Sequence, residues 1–121
     1  MNLTTARIFV RDLEQARRFY ADTLGLKLVA AGMEHGYCVF DAGGLQLVVE
    51  SVPDDAPEDE QVLVGRFTGL SFSVADVAQA HRSLLAAGVA FTGEPERQAW
   101  GGTLATLRDP AGNQLQIVLP P

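Results

Sequence analysis

Twice along this chain a strand-like alternation of apolar positions gives way to a helical rhythm. Ala6, Ile8 and Val10 share one side of a strand pattern, and so do Leu70, Phe72 and Val74. Each run ends at an aspartate, Asp12 or Asp76, whose carboxylate suits a helix N-cap. Apolar residues then recur at helical spacing: Leu13, Ala16, Tyr20 and Leu24, and later Val77, Ala80, Leu84 and Ala87. Gly25 and Gly88 stand where a helix can end in the left-handed conformation.

The two stretches are copies of one module. Residues 9–18 align with residues 73–82 at an offset of 64, with Val, Asp, Gln, Ala and Arg identical. After each helix come three strand patterns: 27–33, 37–40 and 45–50 in the first copy, and 89–94, 103–108 and 114–119 in the second. Turns at 34–36, 41–44 and 109–113 separate them. Each module reads βαβββ and cannot bury its sheet alone. The prediction is one α+β domain over 1–121: module one at 1–52, an acidic linker at 53–65 and module two at 66–121.

Composition narrows the function. At 121 residues and 47% hydrophobic, the chain can bury a core. Its net charge of −6 argues against nucleic acid, which calls for a basic stripe. Asp54, Asp55, Glu58, Asp59 and Glu60 crowd into the linker, where solvation explains them and an attraction for cationic ligands is the sharper alternative. Cys38, the only cysteine, permits no internal disulfide and reads as a small core hydrophobe. No apolar run is long enough for a membrane span, and the first residues lack a signal-peptide pattern. A cytoplasmic protein without membrane contact is expected.

In their order and spacing, five segments resemble the vicinal oxygen chelate superfamily: the glyoxalases, extradiol dioxygenases and bleomycin-resistance-type proteins. They are Val10-Arg11-Asp12-Leu13, Arg18-Phe19-Tyr20, Leu24-Gly25-Leu26, Trp100-Gly101-Gly102, and Asp109-Pro110-Ala111-Gly112-Asn113-Gln114-Leu115-Gln116. The resemblance covers essentially the whole chain. It implies that the two modules form a curved mixed sheet, a half-barrel around a cavity with helices outside, and that the protein is a homodimer. It also implies where metal ligands stand in metal-dependent members: on the first and last strand of each module, here Thr5, Gln46, Gly69 and Gln116.

That set makes no ordinary metal site. Glycine has no side chain, threonine is a poor ligand, and two neutral amides bring no charge to offset the ion's lost hydration. Neither His35, in a turn, nor His81, flanking the apolar face of the second helix, is expected to reach the cavity. No metal and no cofactor is expected. Alternation puts Thr5, Arg7, Phe9, Gln46, Val48 and Glu50 on the cavity side, with Gly69, Ser71, Ser73, Gln114 and Gln116 in the second module. Glu50 is the one cavity-side carboxylate, and pairing with an arginine is its plainer role. A short turn through Ala42-Gly43 pairs Val39 with Gln46 and adds Tyr37, whereas a one-residue slip presents Cys38 and Phe40 instead.

Trp100, beside the cavity in the family, either stacks on a planar ligand or packs at an interface. No nucleophile–base pair emerges, so no catalytic residue is assigned. The lining expected to bind ligand is Arg7, Phe9, Tyr37, Gln46, Val48, Glu50, Ser71, Trp100 and Gln116. These features point to a metal-free protein that sequesters a small planar or cationic molecule, as bleomycin-resistance-type proteins do. A metal-dependent lyase, isomerase or dioxygenase with altered ligands and a regulatory domain with a vestigial pocket are the alternatives.

Overall fold

The computed structural model describes residues 1–121 and has a mixed α+β fold with two sheets. Two compact units emerge, Met1–Arg66 with Pro110–Asn113, and Phe67–Asp109 with Gln114–Pro121.

In the first unit the chain runs β1 (Thr5–Val10), α1 (Leu13–Arg18), β2 (Lys27–Gly32), β3 (Tyr37–Asp41), β4 (Gln46–Ser51) and the short α2 (Glu58–Gln61). The sheet order is β1-β4-β3-β2, with β1 parallel to β4 and the other pairs antiparallel. Asp12 caps α1 by accepting from the Gln15 N–H at 3.0 Å. Helical spacing predicted an even helix as far as Leu24, but α1 widens into a π turn over Phe19–Thr23. There the Leu24 N–H reaches back five residues to the Phe19 carbonyl at 2.9 Å. The wider turn sends two consecutive aromatics, Phe19 and Tyr20, into the core, with their rings edge to face at 5.1 Å. They join Ile8, Val10, Cys38, Phe40, Leu47 and Val49 on the buried face of the sheet, against which α1 lies. Burying each such side chain stabilises the fold by about 1.5–3 kcal/mol.

The acidic stretch is folded. Its five acids are exposed, but the Gln61 amide donates to the Pro53 and Ala56 carbonyls at 2.8 and 3.1 Å, and Val64 bridges to Phe9.

The second unit runs β5 (Phe67–Ser73), α3 (Val77–Ala86), β6 (Ala90–Phe91), β7 (Glu96–Arg97), β8 (Thr103–Arg108) and β9 (Gln114–Leu119). Its order is β5-β9-β8-β6, with β7 also on β8 and β5 parallel to β9. Asp76 repeats the cap, accepting from the Gln79 N–H at 3.0 Å. The strand predicted over 89–94 is broken. Ala90 and Phe91 pair with Arg108 and Leu107, and pairing resumes at Glu96 with Leu104 after two extra residues. Pro95 lies in that gap and has no N–H to give a ladder. Val77, His81, Val89, Ala105, Leu107, Leu115 and Ile117 form the core. No helix is long and apolar enough to cross a membrane.

Candidate functional site

Each sheet buries one face and leaves the other open. On the first sheet the ladder registers arrange the open face in three rows across β1, β4, β3 and β2. One row holds Thr5, Gln46, Asp41 and Lys27, the next Arg7, Val48, Val39 and Ala30, and the last Phe9, Glu50, Tyr37 and Gly32. Arg7 and Glu50 sit diagonally and form an ion pair of 3.5 Å, the Arg7 side chain 62% exposed. The Tyr37 ring lies over Gly32, where an added Cβ would fall 2.4 Å from it. Only glycine allows that close approach.

Six of the predicted lining residues therefore share this face: Arg7, Phe9, Tyr37, Gln46, Val48 and Glu50. The predicted register needs correction. Val39 pairs with Val48 rather than with Gln46, and Tyr37 pairs with Glu50. The hairpin loop is longer than a two-residue turn, spanning Ala42 to Leu45 and closed by the Ala42 N–H donating to the Leu45 carbonyl at 2.8 Å. Gly43 and Gly44 take positive φ, and the Asp41 carboxylate accepts from the Gly43 N–H at 3.0 Å. Because the shift is two residues, Tyr37 keeps its face and Cys38 and Phe40 stay buried. The shift also brings in a residue that the sequence reading missed. Asp41 stands directly opposite Gln46, beside a cleft of about 470 Å³ lined by Thr4, Thr5, Val29, Asp41, Gly44, Leu45 and Gln46. A bulge in β2 between Leu28 and Ala30 supplies Val29 to that cleft.

The open face of the second sheet has a different chemistry. Ser71, Gln116 and Thr106 stand in one row across β5, β9 and β8. The Ser71 hydroxyl donates to Gln116 Oε1 at 3.4 Å, and Gln116 Nε2 donates to Thr106 Oγ1 at 3.2 Å. Both ends of the Gln116 amide are engaged. Ser73 pairs with Val118, while Phe67, 56% exposed, pairs with Gln114. Gly69 lies where the β5–β9 register slips, with φ of +75°.

Trp100 belongs to the loop between β7 and β8 and is 53% exposed. Its ring folds back on Gly102, where a Cβ would lie 1.8 Å from it. Hydrogen bonds from the Gln98 N–H to the Gly102 carbonyl (2.7 Å) and from the Gly101 N–H to the Gln98 carbonyl (2.9 Å) hold the loop. His35 is exposed in its turn, 3.7 Å from Glu34. His81 is buried, edge-on to Phe91 at 4.5 Å, with Nδ1 3.8 Å from Glu94. Burial pushes the Cys38 thiol up to about 11.

Comparison with known proteins now decides the family. The family model of the Glyoxalase/Bleomycin resistance protein/Dioxygenase superfamily matches residues 2–117. The chain belongs to that superfamily. It is 30% identical to the uncharacterized protein YraH of Bacillus subtilis (strain 168), with 97% of each chain covered. Among solved structures, a member of the same superfamily from Sphaerobacter thermophilus DSM 20745 is similar at TM-score 0.79 and 31% identity, over 98% of this chain and 96% of that one. A lactoylglutathione lyase from Agrobacterium tumefaciens shares the fold at TM-score 0.77 and 22% identity, over 97% of this chain and 92% of that one.

The superfamily's metal-dependent members raise the question of whether this chain's residues fit a divalent ion. On the first sheet Thr5 and Gln46 are direct register partners, both neutral. On the second, Gly69 offers no donor and Gln116 is committed to Ser71 and Thr106. No group of three or more His, Cys, Asp or Glu side chains is placed to hold a metal. Hydroxyl and amide oxygens alone do not compensate a divalent ion for its hydration shell. The residues at these positions do not fit the ion, and no chemical step is derived through one.

Proposed function

We propose that this protein binds a small planar or cationic molecule without a metal ion, in the manner of the bleomycin-resistance branch of its superfamily. The observation that carries the proposal is the open face of the first sheet. Apolar and aromatic side chains (Phe9, Tyr37, Val39, Val48) lie there among a few convergent polar groups, including Thr5 and Gln46, the positions where the resemblance implies metal ligands in metal-dependent members. Apolar walls with a few placed hydrogen-bonding groups are the usual make-up of a small-molecule site. A ligand-binding role for Ser71, Gln116 and Trp100, on the second unit, is proposed as well. The protein is proposed to work in the cytoplasm as a homodimer.

The test has two arms. A thermal-shift and tryptophan-fluorescence screen of planar compounds should raise Tm for binders by mass action. A broad library that moves neither signal counts against the proposal. Elemental analysis of the purified protein should find no stoichiometric metal. Stoichiometric Ni, Zn, Fe or Mn would instead favour a lyase, isomerase or dioxygenase with altered ligands.

A further inference from the structure

We infer that the ligand of the first sheet carries two opposite charges on a planar body, its cationic end at Asp41 and its anionic end at Arg7. This inference deepens the proposed function and rests on it.

The net charge of the chain suggests a cation, but the open face of the first sheet does not share that imbalance. Its register rows hold Arg7 and Lys27 against Asp41 and Glu50, two charges of each sign. The acids that make the chain negative crowd instead into residues 54–60. A planar ligand with separated charges matches that balance better than a simple cation does.

Asp41 is the available anion. It forms no ion pair, although Lys27 is its register partner, and Lys27 does not line the cleft. One carboxylate oxygen accepts from the Gly43 N–H, which fixes the side chain and leaves the other oxygen for a ligand. The Thr5 hydroxyl and the Gln46 amide, in the same row and lining the same cleft, are further acceptors for an ammonium group. No other charged side chain lines the cleft.

Arg7 is the available cation. Its pair with Glu50 is long at 3.5 Å and open to solvent on the arginine side, so a ligand carboxylate can compete with the half-buried Glu50 for it. A guanidinium also matches a carboxylate through two parallel hydrogen bonds. Two strand spacings and one two-residue step separate Arg7 from Asp41, which puts their Cα atoms about 12 Å apart. Val48 and Val39 occupy the ground between them. Once the arginine side chain reaches inward, the remaining gap suits one aromatic ring bearing its charges at opposite ends.

Calorimetric titration with four probes on one scaffold tests this inference: 4-(aminomethyl)benzoate, benzylamine, benzoate and benzamide. The doubly charged probe should bind about tenfold tighter than either singly charged one, as expected for one partly exposed charged hydrogen bond at each end. D41N should erase the advantage of the amine and leave benzoate unchanged. R7Q should do the reverse. Equal affinity for all four probes in the unmodified protein overturns the two-ended ligand while leaving the proposed function standing. No binding by any of the four, together with a silent planar library, overturns both.

Discussion

The two sheets are variations on one plan whose buried faces agree and whose open faces do not. On the buried side, Phe40 stands opposite Leu47 in the first sheet and Leu107 opposite Leu115 in the second, and all four are at most 1% exposed. Asp12 and Asp76 cap their helices with hydrogen bonds of the same length, 3.0 Å. On the open side, the first sheet sets four charges and two aromatics around valines, whereas the second centres on an uncharged ladder through Ser71, Gln116 and Thr106, with Phe67, Gln114 and Arg108 in the next row. The positions that hold each unit together have kept their roles, and the positions free of that duty have diverged. Divergence on the open face is where ligand chemistry is to be sought, because folding does not dictate it.

The likeness of the buried faces can be broken at its strongest point. Phe40→Ala should cost roughly 3–5 kcal/mol, and Leu107→Ala, as deeply buried in the second sheet, roughly 2–5 kcal/mol, through lost burial and a residual cavity. Urea denaturation followed by circular dichroism measures both. If one substitution is tolerated while the other unfolds the chain, the two cores are not equivalent.

A buried asparagine gives the next largest effect and marks a difference between the units. Asn113 is 1% exposed and belongs to the first unit, though it lies just before β9. Its Oδ1 accepts from the Gly65 and Arg66 N–H groups at 2.9 and 3.3 Å, and its Nδ2 donates to the Phe9 carbonyl at 2.8 Å. Asn113→Ala leaves those backbone groups without it and should cost roughly 3 kcal/mol. At the corresponding point of the first module the chain runs through Gly43 and Gly44, and no such clamp is made there.

Cys38 has no cysteine counterpart in the second sheet, and its thiol gives the first unit a pH signature. Burial raises it from 9.0 to about 11. Below pH 9 the thiol is neutral in both folded and unfolded chains, so its contribution to stability is fully present. Between pH 9 and 11 only the unfolded chain ionises there, and stability should fall by about 3 kcal/mol before levelling off. Cys38→Ala should remove that decline from a pH series of urea midpoints. A decline of the same size in the variant would assign it to other groups.

Much of this was legible in the chain. Period-two alternation placed Ile8, Val10, Leu47 and Val49 against the helix, and the caps announced where each helix begins. What could not be read were features set by loop length or distant partners. The hairpin before Gln46 was expected to turn through two residues. Its actual four leave faces intact but move Asp41 beside Gln46, which is why a carboxylate at the cleft went unnoticed. Asp41 followed by Ala42-Gly43-Gly44 was the available signal, since an aspartate that accepts from the residue two ahead often opens a longer turn. Asn113 looked like a turn residue because its residue type satisfies local geometry. Its partner Phe9 lies 104 residues away, and nothing local encodes that contact.

The smallest expected effects bear most directly on how the open faces differ. Thr106→Val removes the acceptor of Gln116 Nε2 in a part-buried ladder and should cost about 1 kcal/mol. Arg7→Gln removes one member of an exposed 3.5 Å pair, and thermal unfolding should change by less than about 0.5 kcal/mol. The ranking should invert for ligand binding, where R7Q weakens carboxylate probes far more than Thr106→Val does. If Arg7→Gln instead destabilises the fold as much as Thr106→Val does, the charges of the first sheet serve folding. Their placement would then say nothing of a ligand, and the contrast between the two faces would be one of architecture alone.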